Sequence, residues 1–120
     1  MIEKLDKSIW RPYLDHVSKT IAVGKQALIE VASLALGDQI EAEWVPVLGI
    51  VYDPKNDLVE LALEDLDHLI HGPREIYAET GPAGLQSLEI IDRNDVHQIV
   101  LFKLPLLLPP PEDEQLVKAP

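Results

Sequence analysis

The stretch QIEAEWVPVLGIVYDPKNDLVELALE, residues 39–64, decides the fold. Ile40, Ala42 and Trp44 alternate with Gln39, Glu41 and Glu43, the two-residue period of a strand with one buried and one wet face. A second apolar run, Val47 to Tyr52, leads into Asp53-Pro54-Lys55-Asn56-Asp57 and then into Leu58 to Leu63, which reads as strand, tight turn and strand. Pro46 has no N–H to give a ladder, so a sharp change of direction is expected there, of the kind that curls a small sheet toward a barrel. The region is a β-meander.

Upstream, Trp10, Leu14, Val17 and Ile21 recur at steps of four, three and four, which predicts a short amphipathic helix from Arg11 to Lys19 with Pro12 tolerated in its first turn. Ala27 to Leu34, rich in β-branched residues and ending at Gly37-Asp38, predicts the first arm of a hairpin into the Gln39 strand. Leu58 to Ile70 is two-faced. Val59, Leu63, Leu66 and Ile70 also fit a helical stripe, with Asp57 and Glu60 imitating a capping box and Gly72-Pro73 a stop. The strand-and-turn reading is preferred because the segment follows a β-rich run. Arg74 to Ala78 reads as a further short strand, and Gly81-Pro82-Ala83-Gly84 as a turn. Ser87 to Asp92 and Val96 to Phe102 form the clearest hairpin.

The chain has 120 residues, 47% of them apolar, enough for one core without disulfides or a structural metal. One globular domain is expected over residues 1–104. Residues 105–120 read as a Pro/Leu-rich and then acidic tail, whose prolines bar regular pairing and whose last residues are loose. Leu106, Leu107 and Leu108 are too apolar to stand together in water and are expected to lie across the domain or in a partner's groove. With 21 acidic residues against 10 basic, the formal charge of −11 disfavours nucleic acid and anionic membrane as partners. Cysteine is absent, which excludes thiolate zinc sites and cysteine nucleophiles. The N-terminus lacks a secretory pattern and no stretch approaches the roughly 18 apolar residues of a membrane helix, so a cytoplasmic protein is expected.

Candidate chemistry is sparse. Asp65, Asp67, His68 and His71 lie close together and could in principle hold a divalent ion, but the Glu of His-Glu-x-x-His is missing, and a three-residue spacing puts both imidazoles on one face only in a helix. Ordinary surface histidines are the simpler reading, and no metal, cofactor or catalytic residue is assigned. His16 and His97 would need a serine within reach for a nucleophilic dyad, and Ser8, Ser18, Ser33 and Ser87 lack the glycine flanks of an elbow. The carboxylate pairs Glu41/Glu43 and Asp53/Asp57 sit where a wet face or a turn wants an acid. Lys4, Lys7, Arg11, Lys19 and Lys25 are the one concentration of cations near the N-terminus, and only a basic face built from them would favour RNA. Trp10 and Trp44 are expected to be substantially buried.

The runs Ser8 to Leu14, Glu43 to Pro54, and Leu66-Asp67-His68-Leu69-Ile70 followed by Pro73-Arg74-Glu75-Ile76 resemble a family of small bacterial proteins of unknown function, over roughly residues 8–109. The resemblance implies a bacterial cytoplasmic origin and carries over no activity, cofactor or site residue. The order of a helix and then short bent strands is also similar to the Sm-like and SH3-like small barrels, an analogy of fold that does not bring their ligands with it.

The expected fold is therefore mainly β (α+β), an N-terminal helix followed by a curled antiparallel sheet or a small SH3/Sm-like barrel. The expected function is a non-enzymatic interaction module that binds a protein partner, or itself as a homo-oligomer, through a sheet edge or the apolar tail. The alternatives are a small metal-dependent enzyme or metal-binding protein using His68 and His71, and, further behind, an RNA-binding small barrel.

Overall fold

The structure, a computed structural model, describes residues 1–21 and 25–108. These contain a short strand, β1 (Ile2–Lys4), a 3-10 turn (Lys7–Ile9), one helix, α1 (Trp10–Thr20), and then β2 (Gln26–Ser33), β3 (Gly37–Asp53), β4 (Leu58–Leu63), β5 (Asp67–His71), β6 (Pro73–Gly81), β7 (Gly84–Asp92) and β8 (His97–Leu106). The strands form one antiparallel sheet in the order β1-β6-β7-β8-β2-β3-β4-β5. The mainly β architecture with one N-terminal helix is as expected. Its sheet is curled without closing into a barrel, so β1 and β5 remain as edges.

The helix begins one residue before and ends one after its expected span, and buries Trp10, Leu14 and Val17. Pro12 falls in the first turn, where its missing N–H would have had no helical acceptor. The Trp10 ring meets Tyr52 edge-on, with centroids 5.2 Å apart, and its Nε1–H donates to the Leu5 carbonyl at 3.1 Å. Ser18 does something less visible in sequence. Its hydroxyl donates to the Ile50 carbonyl at 2.6 Å and accepts from the Ile50 N–H at 2.8 Å. The helix thereby satisfies a stretch of β3 edge that no strand covers among the described residues.

The expected break at Pro46 takes an unexpected form. β3 is a single strand running through the proline, and what changes there is its partner: Pro46 pairs with Gln26 of β2, and Val47 with Leu63 of β4. The alternation read from Gln39 to Trp44 also needs correction. Ala27 pairs with Val45, Ile29 with Ala42 and Glu30 with Ile40, so two bulges interrupt the period, and Trp44 takes a left-handed φ of 51°. Each extra residue flips the side chains beyond it to the opposite face. Ile40 is accordingly 55% exposed rather than turned inward with the partly buried Ala42, and Trp44 is only half-buried, whereas Trp10 is buried as expected.

Leu58 to Ile70 is strand, turn and strand. Val59, Leu61 and Leu63 alternate into the core, and the residue a helical stripe would have needed, Leu66, is exposed. Asp92 organises the β7–β8 turn by accepting from the N–H groups of Asn94 and Val96. The pairing barrier expected at Pro105 is not met: β8 continues through it, and Leu106 pairs with Leu85 and is buried. The reason is a register irregularity between Leu85 and Ser87, which lets the proline sit outside a regular ladder. Leu108 packs against the core and Leu107 is exposed. The acidic end of the expected tail lies outside the described residues. Among the described residues, no helix is long and apolar enough to cross a membrane.

Candidate functional site

The four residues singled out as possible metal ligands all fall at one edge of the sheet. Asp65 lies in the β4–β5 turn, and Asp67, His68 and His71 belong to β5. A strand alternates its side chains, so a spacing of three places the two imidazoles on opposite faces. His68 points inward alongside the buried Ile70, while Asp67, Leu69 and His71 are exposed on the outer face. The structure therefore separates the two histidines, and no group of three or more ligating side chains converges on one point among the described residues.

His68 is instead the first member of a polar chain into the sheet interior. Its Nε2 lies 2.5 Å from Gln98 Oε1, and Gln98 Nε2 donates to Asp92 Oδ2 at 3.2 Å. A proton on His68 Nε2 gives every bond in this chain a consistent direction, ending on a carboxylate whose other oxygen is held by the β7–β8 turn. Gln98 and Asp92 are both buried, and no buried side-chain polar atom lacks a partner among the described residues. The chain ties β5 to the far side of the curl. Gln98 and Asp92 were not anticipated as partners of His68, because their contact spans 30 residues of sequence.

The outer margin of β5 is open. Gly72 N–H donates to the Asp57 carbonyl and Leu63 N–H to the Leu66 carbonyl, which fixes the phase of the β4–β5 ladder. Counting by two, Val59 with Ile70 and Leu61 with His68 are the pairs that exchange backbone hydrogen bonds. The N–H and C=O groups of Asp67, Leu69 and His71 therefore point away from β4, and no backbone partner for them occurs among the described residues. β5 contains no bulge and no proline. β1, at the other end of the sheet, has only three residues, and the Gly37–Pro46 half of β3, which pairs only with β2, is kinked by its two bulges.

Several of the serines and carboxylates considered above are engaged in local bonds. Ser8 donates to Asp6 at 2.6 Å, Ser33 accepts from the Leu36 N–H, and His97 Nδ1 lies 3.0 Å from Glu89. Asp53 holds its own turn by accepting from Lys55 and Asn56, and the Asn56 amide is the main cause of its lowered pKa. Asp57 accepts from the Tyr52 hydroxyl at 2.9 Å. Burial, with Asp57 adding to it, pushes Tyr52 up to about 12. The expected cationic cluster is divided: Lys4 and Lys7 line a groove of about 480 Å³ with Arg74, and Arg11 lines another of about 560 Å³ with Asp15 and Lys55. The cations of the first groove are already matched. Lys4 pairs with Glu75 at 3.5 Å, Arg74 with Asp95 and Glu75, and Lys7 lies over the Trp10 ring.

No solved structure matches this chain. It is 35% identical over 106 residues to a protein of Aquifex aeolicus (strain VF5) described as an uncharacterized protein, a match covering 88% of this chain and 95% of that one. A family model described as a family of unknown function, DUF5335, matches residues 1–111. On both matches, the chain belongs to the DUF5335 family.

Proposed function

We propose that this protein is a non-enzymatic interaction module and that its working surface is the outer margin of β5, which takes an extended strand of a protein partner as an added strand of the sheet. The observation that carries this reading is the row of backbone donors and acceptors at Asp67, Leu69 and His71, facing outward from an unbulged strand. An uncovered row of this kind is what β-augmentation uses: the main chain supplies affinity and alternate side chains supply selectivity. The exposed Leu69 offers apolar contact on one face, and the His68–Gln98–Asp92 chain holds the other face in place.

The test is a proline that blocks the margin without breaking the sheet. Leu69 N–H points outward, so Leu69→Pro removes no bond to β4, whereas Ile70→Pro removes one. Leu69→Pro is expected to melt within a few degrees of the parent and to lose a partner that the parent captures from native cell extract. Capture unaffected by Leu69→Pro refutes the reading.

A further inference from the structure

We infer that the strand received by β5 is β5 of a second copy, paired antiparallel about a two-fold axis through Leu69; this rests on the strand-docking reading above. Register selects this pairing. With Leu69 opposite Leu69 of the second copy, Asp67 falls opposite His71 and His71 opposite Asp67. All three are the residues whose backbone groups face outward, so each opposed pair can exchange two hydrogen bonds, about six in all. Here the outer face gains two carboxylate–imidazole contacts flanking a leucine pair, and the exposed leucine side chain loses water on both copies. Any register displaced by one residue places outward-facing backbone groups opposite inward-facing ones and loses the ladder. A displacement by two in either direction opposes Asp67 to Leu69, or Leu69 to His71, and leaves His71 with no acid of β5 opposite it.

Two chains of −11 each repel one another at long range, so the pairing belongs at moderate salt, where screening leaves the short contacts. A single short strand pair is a small interface, at the weak end of specific association. Two-fold self-pairing is nevertheless the commonest way a small domain assembles.

Because the chain has no cysteine, Leu69→Cys introduces a single reporter. Directly opposed, hydrogen-bonded residues have Cα atoms about 5.5 Å apart, inside the range a disulfide spans. Purified Leu69→Cys at about 0.5 M salt is expected to form covalent dimer on copper–phenanthroline oxidation at least tenfold faster than Leu101→Cys, a similarly exposed position in mid-sheet. Sedimentation equilibrium of the parent is expected to show a concentration-dependent dimer. His71→Asp, which opposes acid to acid twice, is expected to weaken it by about tenfold, and adding Asp67→His in the same chain to restore it. Equal oxidation rates at 69 and 101, or a parent that stays monomeric at about millimolar concentration, overturn the second copy as occupant. If capture from extract remains sensitive to Leu69→Pro in that event, the margin still docks a strand and only its occupant is wrong. If capture is insensitive, both readings fall.

Discussion

Replacing Ser18 by Ala removes one oxygen from the helix surface and leaves both the N–H and the C=O of Ile50 without their present partners. Ile50 itself is 1% exposed, and the two bonds are 2.8 and 2.6 Å long. A backbone group deprived of its partner in a buried setting costs about 1–3 kcal/mol. The site is only part-buried, and water can reach some of the exposed carbonyl, so the sum is about 2 kcal/mol rather than the ~6 kcal/mol upper bound. For a domain of this size that corresponds to a fall in melting temperature of about 6–10 °C. Urea denaturation followed by circular dichroism is the assay, with an unchanged m-value expected because the surface exposed on unfolding is the same. Ser8→Ala is the control, since its bond to Asp6 is exposed and its loss belongs within about 0.5 kcal/mol. If Ser18→Ala proves as mild as Ser8→Ala, the helix does not serve as the missing neighbour of β3, and the account of how this edge is covered is wrong.

Gly84→Ala is expected to cost about 3 kcal/mol or more, because φ is +118° and a Cβ there would lie 2.2 Å from the Leu106 carbonyl oxygen; thermal melting checks it, and a neutral result would mean that β8 does not reach Leu106 in solution. Tyr13 and Tyr52 are both raised from 10.0 to about 12, chiefly by burial, with Glu3 contributing at Tyr13 and Asp57 at Tyr52. The fold therefore favours the neutral phenols: their contribution is complete below pH 10 and is lost as pH climbs through about 12. Denaturant midpoints measured across that interval should fall, and fall less steeply in Tyr52→Phe; a flat profile would contradict the burial. Trp10→Phe, which leaves only the half-buried Trp44, should shift emission to the red and make it readily quenched by acrylamide, whereas a shielded signal would mean that Trp44 lies deeper than the bulge allows.

Much of the architecture was legible because it rests on local patterns. The helix follows from Trp10, Leu14 and Val17, and the β7–β8 hairpin from its β-branched arms. Period alone did not separate strand from helix at Leu58 to Ile70, since Val59 and Ile70 belong to both templates; the burial of Leu61 decides for strand. The bulges in β3 were hidden, as glutamate and tryptophan carry no glycine-like mark of a kink, and so Ile40 was assigned to the wrong face. At the site, sequence gathered Asp65, Asp67, His68 and His71 into one cluster, and the pleat of β5 divides them. Gln98 and Asp92 were missed for a physical reason. Only the curl of the whole sheet brings them to His68, and no local periodicity encodes that approach.

β5 turns every second peptide group outward, ready for another strand. Residue-resolved amide hydrogen exchange measures this directly. In dilute protein the amides of His68 and Ile70 are expected to exchange slowly and those of Asp67, Leu69 and His71 quickly, with Leu69 becoming protected as concentration rises. Uniform slow exchange along β5 at every dilution would mean that the margin is already covered within one chain, and would contradict the account.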